Sequence, residues 1–194
     1  MQSGPSMRLF LAVLLPDAAL DAVDEVARGL REQVGDDGVR WCRRDQFHFT
    51  LKFLGQVAGS CVHRVTDAAA NAASSQEPFS LTLGGVGAFP NDARPGTLWL
   101  GVTAGIGPMT DLALQLETEL ARARFPRDKR PLKAHLTIAR VKSYGGEVAA
   151  ARALRATRVG EVATLTVDRL TLMRSTLRPS GSEYSVVDEF RFGA

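Results

Sequence analysis

The pattern of apolar and polar positions along the chain predicts β-strands and α-helices in mixed order. Period-two alternation or short apolar runs favour strands at 8–15, 39–42, 79–83, 97–103, 162–173 and 184–192. Apolar spacing and flanking turn residues predict helices at 17–34, 60–73, 108–124 and 147–157. The short turns at 91–96 and 178–181 imply antiparallel hairpins, so we expect an α+β fold and not a doubly wound parallel sheet.

Two further predicted strands carry the same motif, histidine-x-threonine followed by an aliphatic residue. They are His48-Phe49-Thr50-Leu51 and His135-Leu136-Thr137-Ile138. The chain has only three histidines, and two of them occupy these motifs. Because side chains alternate between the faces of a strand, His48 and Thr50 share one face, as do His135 and Thr137. Each strand therefore presents an imidazole beside a hydroxyl.

Two imidazoles and two hydroxyls suit the cleavage of a phosphodiester. In-line displacement at phosphorus needs a base at the attacking oxygen and an acid on the opposite side, at the leaving oxygen. Histidine, with an ordinary pKa near 6.5, can serve in either role at neutral pH. Threonine hydroxyls can donate to the non-bridging oxygens. The alternative for one such motif is a hydrogen-bonded structural histidine, but the matched pair argues against it.

Composition changes this picture little. The chain has 194 residues, 45% of them hydrophobic and 23% charged, and a net charge of +3, which is only weak evidence for a polyanionic partner. The basic stretches Arg43-Arg44 and Arg127-Asp128-Lys129-Arg130 are either solvated loops or a rim that holds the backbone of such a polyanion. No acidic or cysteine cluster joins the histidines, so we expect neither a metal site nor a cofactor.

The same composition bears on location and domain organisation. The two cysteines suit a reducing cytosol, and no apolar run reaches the ~20 residues that span a bilayer. We expect a cytoplasmic monomer without membrane association. Residues 1–6 are expected to be a disordered leader, and residues 7–194 a single bilobal domain.

The motif pair resembles that of the 2H phosphoesterases, and the chain is similar to the bacterial and archaeal RNA 2′,3′-cyclic phosphodiesterases, also called 2′-5′ RNA ligases. Further segments carry this resemblance: Met7-Arg8-Leu9-Phe10, Trp41, Lys52-Phe53-Leu54-Gly55, Gly87-Ala88-Phe89-Pro90, Leu98-Trp99-Leu100-Gly101 and Ala139-Arg140. It implies two pseudo-symmetric lobes that face each other across a central cleft. Each lobe would be an antiparallel sheet with helices on its outer face and would supply one motif.

The resemblance also implies a reaction. RNA ends that carry a 2′,3′-cyclic phosphate, with tRNA fragments among the candidates, would be opened to 2′-phosphomonoesters without a metal. His48 would be the proton donor and His135 the proton acceptor, and the reverse reaction would form a 2′-5′ bond with the same groups. The expected substrate-binding residues are Thr50, Thr137, Arg140, Phe53 and Lys133.

Two other functions stay open at this point. A related 2H enzyme could act on a small cyclic nucleotide or on an ADP-ribose cyclic phosphate. A protein of another class could bind RNA ends without catalysis, although intact histidine and threonine in both motifs argue against it.

The positions of Phe53 and Arg140 conflict with simple strand geometry. Each stands five positions after its histidine, so strict alternation turns both away from the cleft. Alternation instead places Lys52 and Lys133 on the histidine face. A twist or a bulge after each threonine would return Phe53 and Arg140 to the cleft, because a bulge adds one residue and re-aims those that follow. The long side chain of Arg140 could also curl around the strand edge without a bulge. If neither residue reaches the cleft, both are struck from the site, and the cleft charges fall to Lys52 and Lys133.

Overall fold

The computed structural model describes residues 5–179 and 181–193, so residues 1–4 of the expected leader lie outside the described residues. The described helices are α1 (Asp17–Val34), α2 (Val62–Ser74), α3 (Ile106–Arg122) and α4 (Tyr144–Ala156). The described strands are β1 (Met7–Leu14), β2 (Val39–Trp41), β3 (His48–Val57), β4 (Phe79–Asn91), β5 (Arg94–Ala104), β6 (Leu136–Val141), β7 (Glu161–Val167), β8 (Arg169–Arg178) and β9 (Gly181–Arg191).

Helix α1 shows how the sequence pattern becomes structure. Its buried residues, Ala19, Val23, Ala27 and Leu30, recur every three or four positions and form one apolar stripe. The helix ends at Gly35, whose positive φ of 84° suits glycine and whose N–H donates to the carbonyl of Arg31 at 2.7 Å. The stripe attaches the helix to the sheet, and the glycine turns the chain back toward β2.

The strands form one antiparallel sheet in the order β7-β4-β5-β6-β3-β1-β8-β9, with β2 also paired to β6. Helices α1 and α4 pack together over the half that contains β5, β6 and β7. Helices α2 and α3 pack together over the half that contains β3, β8 and β9. The α+β prediction is therefore confirmed, with a helix pair on the outer face of each half, and the two halves join edge to edge in a single sheet.

The halves meet where β3 pairs with β6 through Phe49 and Leu136. Both side chains are buried in the main core, below the helices. An antiparallel pair has a local twofold axis, and Phe49 and Leu136 hold the same position in the two motifs. This register therefore relates the His48 motif to the His135 motif by that axis and sets them side by side on the opposite, open face.

The long strand predicted at 162–173 is wrong, because the chain forms two strands there. Strand β7 pairs with β4 in one half, whereas β8 pairs with β1 in the other. The change occurs at Asp168, whose carbonyl accepts a hydrogen bond from the N–H of Phe192. The residues that join the main core shift from odd positions, such as Val167, to even positions, such as Leu170, across this point. This change from odd to even apolar positions is visible in the sequence and indicates a break between two strands.

The final hairpin agrees with the sequence pattern. Strands β8 and β9 pair along their whole length, and Arg178 lies opposite Gly181. The predicted turn at 178–181 includes residue 180, which lies outside the described residues. This hairpin places β9 beside the first motif.

We expect Phe49→Ala to lower the free energy of unfolding by about 3–5 kcal/mol, because a large buried side chain is removed at the junction of the two halves. Phe53→Ala in the same strand is the matched control, since Phe53 is 60% exposed, and it should cost less than about 1 kcal/mol. Urea unfolding followed by circular dichroism measures both. If Phe49→Ala lowers the free energy of unfolding as little as the control does, the Phe49–Leu136 junction contributes little to stability.

Candidate active site

Strand β3 contains a bulge directly after the threonine of its motif. In the pairing with β1, Thr50 lies opposite Ala12 and Lys52 lies opposite Leu11, so Leu51 is the extra residue. Leu51 and Lys52 are both buried. The strand therefore breaks its alternation at the point that the five-residue offset required.

Strand β6 contains a bulge at the equivalent position. In the pairing with β5, Thr137 lies opposite Trp99 and Ala139 lies opposite Leu98, so Ile138 is the extra residue. Ile138 and Ala139 are both fully buried. No glycine is needed here, because ordinary residues form the bulge while β2 keeps a regular register on the other side of β6.

These bulges decide which side chains reach the cleft. A cavity of about 1130 Å³ lies over the motif face of the sheet and is lined by residues from both halves and by the loop before β6. All seven predicted site residues line this cavity, namely His48, His135, Thr50, Thr137, Phe53, Lys133 and Arg140. Lys52 does not, which corrects the placement that strict alternation gave it.

His48 is held by hydrogen bonds at both ring nitrogens. Its Nδ1 lies 2.8 Å from the carbonyl oxygen of Gln46, and its Nε2 lies 3.0 Å from Oγ1 of Thr50. A carbonyl can only accept, so Nδ1 carries a proton and Nε2 is the nitrogen available for proton transfer. The ring also packs against Phe10 at 4.9 Å and edge-on against Tyr184 at 5.1 Å between ring centroids.

His135 repeats this arrangement. Its Nδ1 donates to the carbonyl oxygen of Lys133 at 2.6 Å, again two residues before the histidine. Phe89 packs edge-on against the ring at 4.8 Å between centroids. Both imidazoles therefore have the same tautomer when neutral and carry their available nitrogen at Nε2.

Burial lowers the pKa of both imidazoles. It lowers the pKa of His48 from 6.5 to about 4, an effect that the hydrogen bond to Gln46 opposes and the neighbouring charge of His135 reinforces. Burial also lowers the pKa of His135. The hydrogen bond to the carbonyl of Lys133 raises this pKa, and the positive charge of Arg140 lowers it further. Both rings are therefore neutral at pH 7 in the protein without substrate.

Sequence reasoning missed the aromatic side chains around the histidines. Phe89 belongs to a segment that supported the resemblance, but no role was assigned to it. Tyr184 lies in β9, far along the chain, and no local pattern distinguishes it from other strand residues. A hydrogen bond from Nε2 of Gln46 to the carbonyl of Ser182, at 2.7 Å, helps to hold β9 beside His48.

Positively charged side chains from β2, from β6 and from the loops next to β6 line the cleft. The cations that line it are Arg40, Arg127, Lys129, Arg130, Lys133, Arg140 and Lys142. Of the two basic stretches in the sequence, only the second lies here. Arg43 pairs with Asp45, and Arg44 pairs with Asp17 and Asp21 on the surface.

Among residues 5–179 and 181–193, no group of three or more metal-ligating side chains comes together. Within that same part of the chain, no helix has both the length and the hydropathy to cross a membrane.

A sequence model described as LigT like Phosphoesterase matches the chain twice, at residues 13–99 and 101–184. The chain belongs to this family of LigT-like phosphoesterases. Each match contains one motif, so the repeat in the sequence corresponds to the local twofold axis in the sheet. The family membership confirms the resemblance to 2H phosphoesterases that the motif pair carried, and it makes the protein an enzyme of the phosphoesterase class.

Curated relatives match this phosphoesterase along nearly its whole length. The RNA 2′,3′-cyclic phosphodiesterase of Archaeoglobus fulgidus is 36% identical, over 92% of this chain and 96% of the relative. The protein of the same name from Methanothermobacter thermautotrophicus is 32% identical, over 95% and 98%. The crystal structure of TT0787 from Thermus thermophilus superposes with a TM-score of 0.78 and 29% identity, covering 96% of this chain and 98% of the other.

We expect the phosphoesterase to lose stability as the pH falls from 6.5 to about 4. In this window the unfolded chain protonates His48, whereas the folded protein keeps the ring neutral because its pKa is about 4. The unfolded state then binds more protons, so acid favours unfolding. His48→Gln removes this contribution and should show a shallower decline. Urea unfolding at several pH values measures it, and identical pH dependence in both proteins would contradict the assigned burial.

Proposed function

We propose that this phosphoesterase hydrolyses the 2′,3′-cyclic phosphate ends of RNA to 2′-phosphomonoesters, with His48 and His135 as a metal-independent acid–base pair. The observation that carries the proposal is the local twofold arrangement of the motifs at the base of one cleft. Each motif offers Nε2 of a histidine and the hydroxyl of a threonine. The names of the relatives support RNA as the substrate class.

In this mechanism the cyclic phosphate lies over the junction of β3 and β6. A water molecule attacks phosphorus opposite to the 3′ oxygen, and Nε2 of His135 accepts the proton of that water. Nε2 of His48 donates a proton to the 3′ oxygen as its bond to phosphorus breaks. The Nδ1 protons of both rings stay with backbone carbonyls throughout, so each ring exchanges protons only at Nε2.

The substrate itself supplies the condition that His48 needs to act as a donor. A phosphodiester is an anion, and an anion beside a buried imidazole raises the pKa of that imidazole, because it favours the charged form. When His48 is neutral, the hydroxyl of Thr50 donates to Nε2. When His48 is protonated, Nε2 donates and the hydroxyl becomes free to donate to a phosphate oxygen.

Phe53, Arg140 and Lys133 are proposed to bind the rest of the terminal nucleotide. Phe53 is 60% exposed at the cleft, and a base stacked on it would gain ~1–3 kcal/mol. The guanidinium of Arg140 offers a fork of donors that fits phosphate oxygens. Nζ of Lys133 lies 5.7 Å from the centroid of the Phe89 ring, which packs against His135, and it adds a further positive charge.

The same groups would join RNA ends through a 2′-5′ bond if the 5′ hydroxyl of a second RNA took the place of water. His135 would accept the proton of that hydroxyl, the hydroxyl oxygen would bond to phosphorus, and His48 would protonate the departing 3′ oxygen. The bond formed can be cleaved again by the reverse of this step. Water at high concentration favours hydrolysis, so we propose hydrolysis as the main reaction and ligation as a side reaction of the same site.

The first test uses an RNA oligonucleotide with a 2′,3′-cyclic phosphate end, incubated with the enzyme in excess EDTA. We expect complete conversion to a 2′-phosphate, identified by chromatography against 2′- and 3′-phosphate standards. A 3′-phosphate product would contradict the assigned leaving oxygen. Activity that EDTA abolishes and a divalent ion restores would contradict the metal-free mechanism. Parallel reactions with a mononucleoside cyclic phosphate and an ADP-ribose cyclic phosphate rank the substrate classes.

Substitutions in the motifs test the acid–base pair. His48→Ala and His135→Ala should each lower kcat by at least ~100-fold, the lower range for one acid or base group. Thr50→Ala and Thr137→Ala should each cost about 10-fold, because a donor to developing negative charge is lost. His63→Ala, on the exposed surface of α2, is the control and should keep wild-type activity. Near wild-type kcat in either folded motif-histidine variant would refute the mechanism.

A substrate with sulfur in place of the 3′ oxygen distinguishes acid from base. Sulfur leaves as a thiolate without protonation, so this substrate should restore much of the activity of His48→Ala but none of His135→Ala. If the sulfur substrate instead restores the activity of His135→Ala, then His135 is the acid and His48 is the base.

A further inference from the structure

Lys52 is a buried charge that the proposed mechanism does not use. Its side chain is 3% exposed, and its Nζ lies 2.5 Å from Oε1 of Glu117, 2.9 Å from Oδ1 of Asp128 and 2.9 Å from the carbonyl oxygen of Pro126. An ammonium group has three protons to donate, and these three acceptors satisfy all of them. A lysine is seldom buried to this extent unless it is paired, so this cluster is a built feature of the fold.

The cluster fixes the loop that joins α3 to β6. Pro126 and Asp128 belong to that loop, and Glu117 lies on α3. The N–H of Asp128 also donates to Oε2 of Glu117 at 3.1 Å. Nearer the start of the loop, the guanidinium of Arg64 donates to the carbonyl of Ala123 and lies over the ring of Phe125. Lys52 therefore acts as the anchor for residues 126–128, immediately before the cationic part of the loop.

Arg127, Lys129 and Arg130 form that cationic part, and all three line the cleft. Within the described part of the chain, none of the three makes an ion pair. The acid between them, Asp128, pairs with Lys52 instead. The anchor therefore holds the loop in place and engages two carboxylates that would otherwise offset the positive charge of the cleft wall.

We propose that Arg127, Lys129 and Arg130 bind backbone phosphates of single-stranded RNA upstream of the reacting end, and that Lys52 is the positioning residue for this subsite. The inference rests on the proposed function only in taking RNA as the substrate. The cavity of about 1130 Å³ is larger than the ~300–1,000 Å³ typical of small-molecule sites, which leaves room beyond the terminal nucleotide. Arg130 is five residues before His135, so the two lie within about 18 Å, a distance that a few nucleotides can span.

Binding is measured by fluorescence anisotropy with single-stranded RNA that ends in a 3′-phosphate and cannot be hydrolysed. The affinity of the wild type should fall with salt, because each neutralised phosphate contributes about 0.7 to the slope of log K against log salt. In Arg127→Gln:Lys129→Gln:Arg130→Gln that slope should be shallower by about 2, since three contacts are lost. The variant should also lose at least 10-fold more kcat/KM on an RNA substrate than on a mononucleoside cyclic phosphate. An unchanged slope would overturn the subsite.

The role of Lys52 is tested by variants that keep all three cations. Lys52→Met should weaken RNA binding and flatten the salt dependence, and its effect on the RNA substrate should appear in KM and not in kcat. Asp128→Ala tests the same anchor from an exposed residue, whose substitution the fold should tolerate. By charge alone, loss of an acid would strengthen RNA binding, whereas loss of the anchor weakens it. The sign of the change therefore separates the two explanations.

Asp111→Ala is the matched control, because it removes an exposed acid from α3 outside the cleft. It should bind RNA as tightly as the wild type or slightly more tightly. If Asp128→Ala behaves like this control, Lys52 is not a positioning residue. Because anisotropy needs no turnover, a protein that binds RNA through this loop but does not open cyclic phosphates would refute the proposed function alone. A protein that opens them with unaltered binding in the variants would refute this inference alone.

Discussion

The antiparallel pairing of Phe49 with Leu136 joins two half-sheets and fixes the position of both histidines. Each residue lies in the middle of its motif and buries its side chain in the core. The histidines and threonines on either side are then forced onto the open face. Because the pair is antiparallel, the same contact also gives the site its local twofold axis. A change of one residue in this register would exchange the faces and bury the imidazoles.

The two bulges extend this constraint along each strand. A regular strand could present the histidine and threonine but would turn Phe53 and Arg140 away from them. One extra residue after each threonine puts two successive side chains toward the core and the next toward the cleft. On β3 the second of the inward side chains is Lys52, which reaches α3 and the following loop. The bulge that presents Phe53 thus also creates the anchor for the cationic loop.

The cleft combines two environments that have opposite effects on charge. Around the histidines, Phe10, Tyr184 and Phe89 pack against the rings, and burial lowers the pKa of both imidazoles. On the loop side, exposed arginine and lysine side chains provide positive charge in contact with solvent. An anionic substrate bridges these environments. In the proposed mechanism it is attracted by the arginine and lysine side chains, and it raises the pKa of the imidazole that donates a proton.

The sequence by itself determined the features that depend on local spacing. The two motifs, the α+β class, the final hairpin and the conflict between strict alternation and a cleft position for Phe53 and Arg140 all follow from residues within a few positions of one another. Tertiary structure decided the pairing of Phe49 with Leu136, the division of the predicted strand at Asp168, and the approach of Tyr184 to His48. It also turned Lys52 from a cleft cation into a buried anchor. These outcomes depend on partners far apart in the chain, and hydrophobic periodicity carries no information about which distant strand or carboxylate a residue will meet.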